Sequence, residues 1–174
     1  MSNKPHINFA FGSNLSTKRL FARLPEAHCL GVAKLYQHKL TFNMLSTDGS
    51  AKCTIEPTSC KDDVVIGVLY ALDDEELAML DAIEGERYDR VSVEVEAHRH
   101  GLIEAYCYIA NTFIDDHLPF DWYVQHVLSG ALEHAFPTEY VSLIKSQPHI
   151  TDHHGERAQR EWQLHSPLKT TKKA

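Results

Sequence analysis

The chain has 174 residues, with 17 Lys plus Arg against 24 Asp plus Glu, a formal charge of −7 with every histidine neutral. That length suits one domain with its own core and is short for two, while 43% hydrophobic and 24% charged residues exclude disordered, collagenous and disulfide-scaffold classes. An acidic chain whose only basic cluster is Lys169, Lys172 and Lys173 is poorly suited to neutralising phosphates, so nucleic acid is not an expected partner.

The start, MSNKPHINFAFGSN, has no basic region followed by an apolar run, and nowhere do about 18 apolar residues stand together. The expectation is a cytoplasmic chain with no membrane partner. Cys29, Cys53, Cys60 and Cys107 form no C-x-x-C pair and read as reduced thiols. The twelve histidines show no H-E-x-x-H or Cys/His zinc spacing, so no metal is expected.

In chain order, short apolar or alternating runs predict strands over Ile7–Phe11, Cys29–Tyr36, Leu40–Leu45, Val64–Leu72, Val91–Ala97 and Ile103–Ala110. Val64–Leu72 is almost wholly apolar and suits a central strand. Helices are expected over Asn14–Leu24, closed before Pro25, and over Asp74–Glu84. The second opens on an Asp73/Glu76 capping box and stops at Gly85. Two more follow, over about 120–134 and 138–146, separated by Pro137. Residues 1–146 read as one domain. Residues 147–174 turn polar and read as a C-terminal extension, a loosely held tail or a surface helix.

Helical spacing puts Glu84 between Leu77 and Leu80 on the apolar stripe of its helix, while Asp81 falls nearer the polar Asp74. A carboxylate aimed inward must be paired, hydrogen-bonded or raised in pKa. Two readings stand: an edge residue that reaches water or pairs with Arg87 or Arg90, or a general base poised near neutrality. A second candidate is the strand-to-helix junction Phe11-Gly12-Ser13-Asn14-Leu15, where backbone N–H groups and a helix start can receive an anion. It is neither a Walker A loop nor a G-x-S-x-G elbow, so Ser13 is a poor nucleophile. As bare pattern it also reads as an ordinary helix cap.

Taken together, FGSNLS near the N-terminus and LDAIEGERYDRVSVEV in mid-chain resemble the γ-glutamylcyclotransferase (AIG2-like) family over roughly residues 6–145. Gly12 to Leu15 match the family's Tyr-Gly-Ser-Asn-Leu loop. Leu80, Asp81, Glu84, Gly85, Tyr88, Arg90 and Val93 match its second signature. The resemblance implies an α+β fold, a small mixed β-barrel with flanking helices, and cyclisation of a γ-glutamyl compound to 5-oxoproline with release of an amine or amino acid, a reaction that needs neither a metal nor an organic cofactor. It implies Glu84 as the acid/base and the Phe11–Leu15 loop as the substrate cradle, with Tyr108 chosen as the tyrosine contact beside the pocket.

Phe11 stands where the family usually has tyrosine, so one phenol is missing near the pocket. A non-catalytic ligand-binding domain of the same fold therefore remains an alternative. γ-Glutamyl amino acids are the first choice of substrate because Asn14 is present, which glutathione-specific relatives usually lack. γ-Glutamylamines and γ-glutamylated natural products remain open. The sequence sets no oligomeric state.

Overall fold

The computed structural model describes residues 5–98 and 100–165; the Lys169–Lys173 cluster and the last part of the polar extension lie outside the described residues. Seven strands are β1 (His6–Ala10), β2 (His28–Tyr36), β3 (His38–Leu45), β4 (Ala51–Pro57), β5 (Val64–Leu72), β6 (Tyr88–Ala97) and β7 (Gly101–Ala110). Five helices are α1 (Thr17–Phe21), α2 (Asp74–Glu84), α3 (Asp121–Glu133), α4 (Thr138–Lys145) and α5 (Gly155–Gln163). The strands β1-β5-β2-β6-β7 close into a barrel. All its pairs are antiparallel except the closing contact, where Asn8 of β1 meets Tyr106 of β7 in parallel. β3 and β4 form a separate antiparallel ribbon.

β5 is central because its apolar run is covered on both faces and bonded on both edges, by β1 and β2. Gly67 makes the first of these contacts possible. A Cβ there would stand 2.4 Å from the Phe9 ring and 2.5 Å from the Ala10 carbonyl oxygen. The ladder thereby brings the end of β1, and the loop that follows it, hard against the core of Phe9, Leu69, Tyr70 and Leu72.

α2 begins as its sequence requires. Asp73 accepts from the Glu76 N–H at 2.8 Å, and Glu76 accepts from the Asp73 N–H at 3.4 Å. It ends at Gly85, whose φ of +69° suits a residue without a Cβ.

The expected helix over Asn14–Leu24 is instead two pieces. A 3-10 turn at Ser13–Leu15 is followed by α1, because Ser16 takes an extended conformation and caps the Arg19 N–H with its hydroxyl. β4 went unforeseen: Lys52 and Pro57 interrupt what apolar alternation it has, and Lys52 is nevertheless buried. Its ammonium meets Asp48 at 2.8 Å and stands 4.7 Å from the centroid of Trp122.

Beyond residue 147 the described chain is held rather than loose. Trp122 Nε1 donates to the buried Asp152 at 2.9 Å, and Arg157 clamps the same carboxylate through two nitrogens at 2.6 Å. Glu161 of α5 reaches Arg19 and the fully buried His126.

Candidate active site

One turn from its N-terminus α2 buries Glu76, and Leu80 and Glu84 follow at intervals of four on the same face. Glu84 therefore emerges at the helix end, half-buried, on the wall of an open-mouthed cleft. The opposite wall is the end of β1 with Phe11, Gly12, Ser13 and Asn14. Cys53, Tyr88, Tyr108 and Tyr123 complete the lining.

Asn14 and Glu84 meet directly, Asn14 Nδ2 donating to Glu84 Oε1 at 3.1 Å. The amide is oriented from behind, because Arg23 Nη1 donates to Asn14 Oδ1 at 3.2 Å. With its oxygen engaged by a guanidinium, Asn14 can present only its NH₂ to the carboxylate. Burial raises the Glu84 carboxyl above the ordinary carboxylate range. The charges of Arg23 and Arg19 and the Asn14 hydrogen bond pull it back in part. The result is a carboxylate oriented by a neutral donor and carrying no ion pair of its own among the described residues.

The two arginines named as its alternative partners are engaged elsewhere. Arg90 bonds Asp81 at 2.7 Å, and Arg87 donates to the Leu45 carbonyl at 2.7 Å. Tyr108 lines the cleft, and its hydroxyl donates to Asp81 at 2.7 Å. Leu15 is fully buried in the core under the loop, so of the five loop residues it is the one that does not line the cleft. In the loop itself the Leu15 N–H returns to the Gly12 carbonyl at 3.0 Å. The first N–H groups of the turn, on Ser13 and Asn14, have no preceding carbonyl in the helix to bond.

Cys53, Tyr88 and Tyr123 were not anticipated as site residues. Tyr88 donates to the Cys53 carbonyl at 2.8 Å, and Tyr123 accepts from the Cys53 N–H at 3.0 Å, so two phenols pin β4 to the cleft. Cys53 is buried and its thiol is pushed up to about 12, so it is no nucleophile at neutral pH. Buried Cys107 is likewise raised to about 12. Arg23 was missed as well. Burial beside Arg19 lowers its guanidinium to about 10, which leaves it charged at neutral pH.

A second, wider cleft shares Ser13, Glu84, Tyr88 and Tyr123 with the first. Its rim carries Arg23 and Arg87, neither of which has a carboxylate partner among the described residues. Among the described residues there is no group of three or more His, Cys, Asp or Glu side chains placed to hold a metal ion, and no helix long and apolar enough to cross a membrane.

The model of the AIG2-like family matches residues 64–144, which include α2 and Glu84. Human γ-glutamylcyclotransferase is 29% identical over 148 residues, covering 80% of this chain and 77% of that protein. The mouse protein of the same name is 28% identical over equal coverage. The chain is thus similar to the AIG2-like family over residues 64–144 and to γ-glutamylcyclotransferases over most of its length. Its fold is shared with solved structures of that kind. A solved γ-glutamyl cyclotransferase structure superposes with a TM-score of 0.77 at 24% identity, over 90% of this chain and 99% of that one. A crystal structure of an uncharacterized human protein superposes at 0.81 and 26%, over 94% and 100%.

Proposed function

We propose that this chain is a γ-glutamyl cyclotransferase that releases 5-oxoproline from γ-glutamyl amino acids. The observation that carries the reading is the Arg23–Asn14–Glu84 chain of hydrogen bonds, which orients an unpaired carboxylate of raised pKa on the wall of the cleft. A binding module for a zwitterion has no use for such a group, since a partly buried, unpaired carboxylate costs stability. A base must have one.

In this reading the γ-glutamyl unit folds back so that its α-amino nitrogen faces its own γ-carbonyl carbon, the orientation that makes ring closure effectively unimolecular. The ammonium first loses one proton to water. The neutral nitrogen forms the new C–N bond, and Glu84 takes a second proton from it. The carbonyl electrons move to oxygen and then return, breaking the bond to the departing nitrogen, which receives the proton held by Glu84. The loop amides at Ser13 and Asn14 receive the glutamyl carboxylate.

Arg23 and Arg87 favour a departing group that carries a carboxylate of its own. A hydrogen bond to a charged group contributes about 1.5–3 kcal/mol, so γ-glutamylamines are expected to react roughly 10- to 100-fold less efficiently. The test is a panel of γ-glutamyl amino acids, γ-glutamylamines and glutathione, scored by 5-oxoproline released per enzyme. Many turnovers with the amino acid series support the reading. Stoichiometric binding without turnover across the panel assigns the chain to the ligand-binding alternative.

A further inference from the structure

Glu84 borders both clefts, whereas Asn14 lines the narrower one and Arg23 the wider. The hydrogen bond from Arg23 Nη1 to Asn14 Oδ1, 3.2 Å long, therefore passes from one cleft to the other. Beyond it, Asn14 Nδ2 reaches Glu84 Oε1 at 3.1 Å. An anion that meets Arg23 in the wider cleft thus stands two hydrogen bonds behind the carboxylate of the narrower one.

The cations of the wider cleft are not equally free. Arg19 is taken by Glu161 and His126, Lys52 by Asp48, and Arg157 by Asp152. Arg87 gives one N–H to the Leu45 carbonyl. Arg23 gives one of its five N–H groups to Asn14; its other nitrogens have no partner among the described residues, and none of them is sealed from solvent. Of these last two guanidiniums, Arg23 is the one whose charge bears on Glu84.

The groups that face Arg23 are Arg19, Glu84, Glu161 of α5 and Tyr123 of α3. Those that face Glu84 are the two arginines, Asn14 and the phenols of Tyr88, Tyr108 and Tyr123. Burial raises all three phenols, so they stay neutral at working pH. Against its burial, Glu161 is held down to about 2 by His126 and Arg19, and Arg23 at about 10 keeps its charge. The exposed Glu86 stands on the rim beside Arg87 and meets solvent. Glu84 is the member of this facing set left to titrate as the medium turns acid.

We infer that Arg23 is a positioning residue that docks the carboxylate of the departing amino acid and, through Asn14, makes Glu84 a stronger base only once that carboxylate is seated. The inference rests on the cyclotransferase reading above. Before substrate docks, the guanidinium charge favours the ionised form of Glu84 and weakens it as a base. A carboxylate paired with the guanidinium cancels that field. Glu84 then holds a proton more tightly, which suits it to take one from the attacking nitrogen. The leaving group that seats its carboxylate thereby prepares the acid that later protonates its own nitrogen. A γ-glutamylamine has no carboxylate to seat, and Glu84 meets it still under the charge of Arg23. Discrimination against amines then arises in the chemical step as well as in binding.

The test follows single-turnover 5-oxoproline formation by the full chain at saturating substrate across pH. One substrate is the γ-glutamyl amino acid that wild type turns over fastest. The other is the same compound with the carboxylate of its departing amino acid converted to a carboxamide. The γ-glutamyl unit is common to both, so its own charges drop out of the difference. With the carboxylate substrate the acid limb lies roughly one pH unit higher, the low end of what one neighbouring charge does to a carboxyl. Arg23→Gln brings the two limbs together, and Arg87→Gln leaves them apart. Limbs that coincide in wild type, as an arginine with a merely structural role requires, overturn the inference. A separation that survives Arg23→Gln, or that vanishes in Arg87→Gln, overturns it as well. Where the Arg23→Gln protein does not fold, the wild-type and Arg87→Gln limbs decide. Wild-type enzyme that releases no 5-oxoproline from any member of the panel fails the cyclotransferase reading itself, a result distinct from an active wild type whose two limbs coincide.

Discussion

Gly130 sits mid-way along α3 where that helix crosses the Gly12–Leu15 loop, and Gly130→Ala puts two rules in opposition. Inside a helix, alanine is better than glycine by about 1 kcal/mol. Here, though, the added Cβ would stand 2.3 Å from the Leu15 Cβ, 2.4 Å from the Leu15 carbonyl carbon and 2.5 Å from the Ser16 nitrogen. Ordinary carbon contacts are about 3.5–4.0 Å, so helix and loop must separate by more than about 1 Å, and two of the three obstacles are backbone. Overpacking costs about 1–3 kcal/mol. Taking its upper end and subtracting the helix gain leaves a net loss of roughly 2 kcal/mol, which for a chain of this size lowers Tm by roughly 4–8 °C. The same displacement moves Ser13 and Asn14 off the cleft, and a 1 Å error in a positioned group costs about 100-fold in rate. Thermal melting and 5-oxoproline release measure the two effects. Gly155→Ala at the start of α5, with nothing within 4 Å of its added Cβ, is the control and should melt no lower than wild type. A Gly130→Ala protein that melts higher and keeps full activity would refute the account of how α3 sets the loop.

Two further perturbations test the electrostatics. The charge on Arg23 lowers the Glu84 pKa, so Arg23→Gln should raise it and move the acid limb of kcat/KM to higher pH; a limb that stays put or moves down contradicts the relay. Burial lowers His126 from 6.5 to about 4. Between those values the unfolded chain binds the proton and the folded one does not, so stability is lost as pH falls from about 6.5 towards 4. His126→Gln should flatten the melting-temperature profile over that window, and an unchanged slope would show that the acid sensitivity arises elsewhere.

Much of the barrel was legible because its strands carry local signals. The apolar run of β5 and the alternation in β6 are properties of single segments, as is the capping box that starts α2. Glu84 was legible for the same reason, since its inward aim follows from helical period alone. What escaped is set by distant contacts. β4 contains a lysine whose burial depends on Asp48 and on aromatic rings of α3, far along the chain. Tyr123 looks like core packing in sequence, and only the approach of α3 to Cys53 and Gly12 reveals a hydroxyl facing the cleft. Arg23 lies nine residues from Asn14, and no periodicity announces the hydrogen bond between them. His126 is decided by distant contacts too: it is fully buried, and that burial lowers its pKa to about 4.

The central claim is that one carboxyl carries the proton between attacking and leaving nitrogens, and Glu84→Gln isolates it. The substitution keeps the side-chain shape and an oxygen for the Asn14 donor. It also removes a charge that burial disfavours, so the variant should fold and melt no lower than wild type above the Glu84 pKa. Measured under the same conditions, its rate of 5-oxoproline release from the preferred γ-glutamyl amino acid should fall by roughly 10²- to 10⁴-fold, the usual range for loss of a general acid/base. A folded Glu84→Gln protein that forms 5-oxoproline at the wild-type rate would contradict the account.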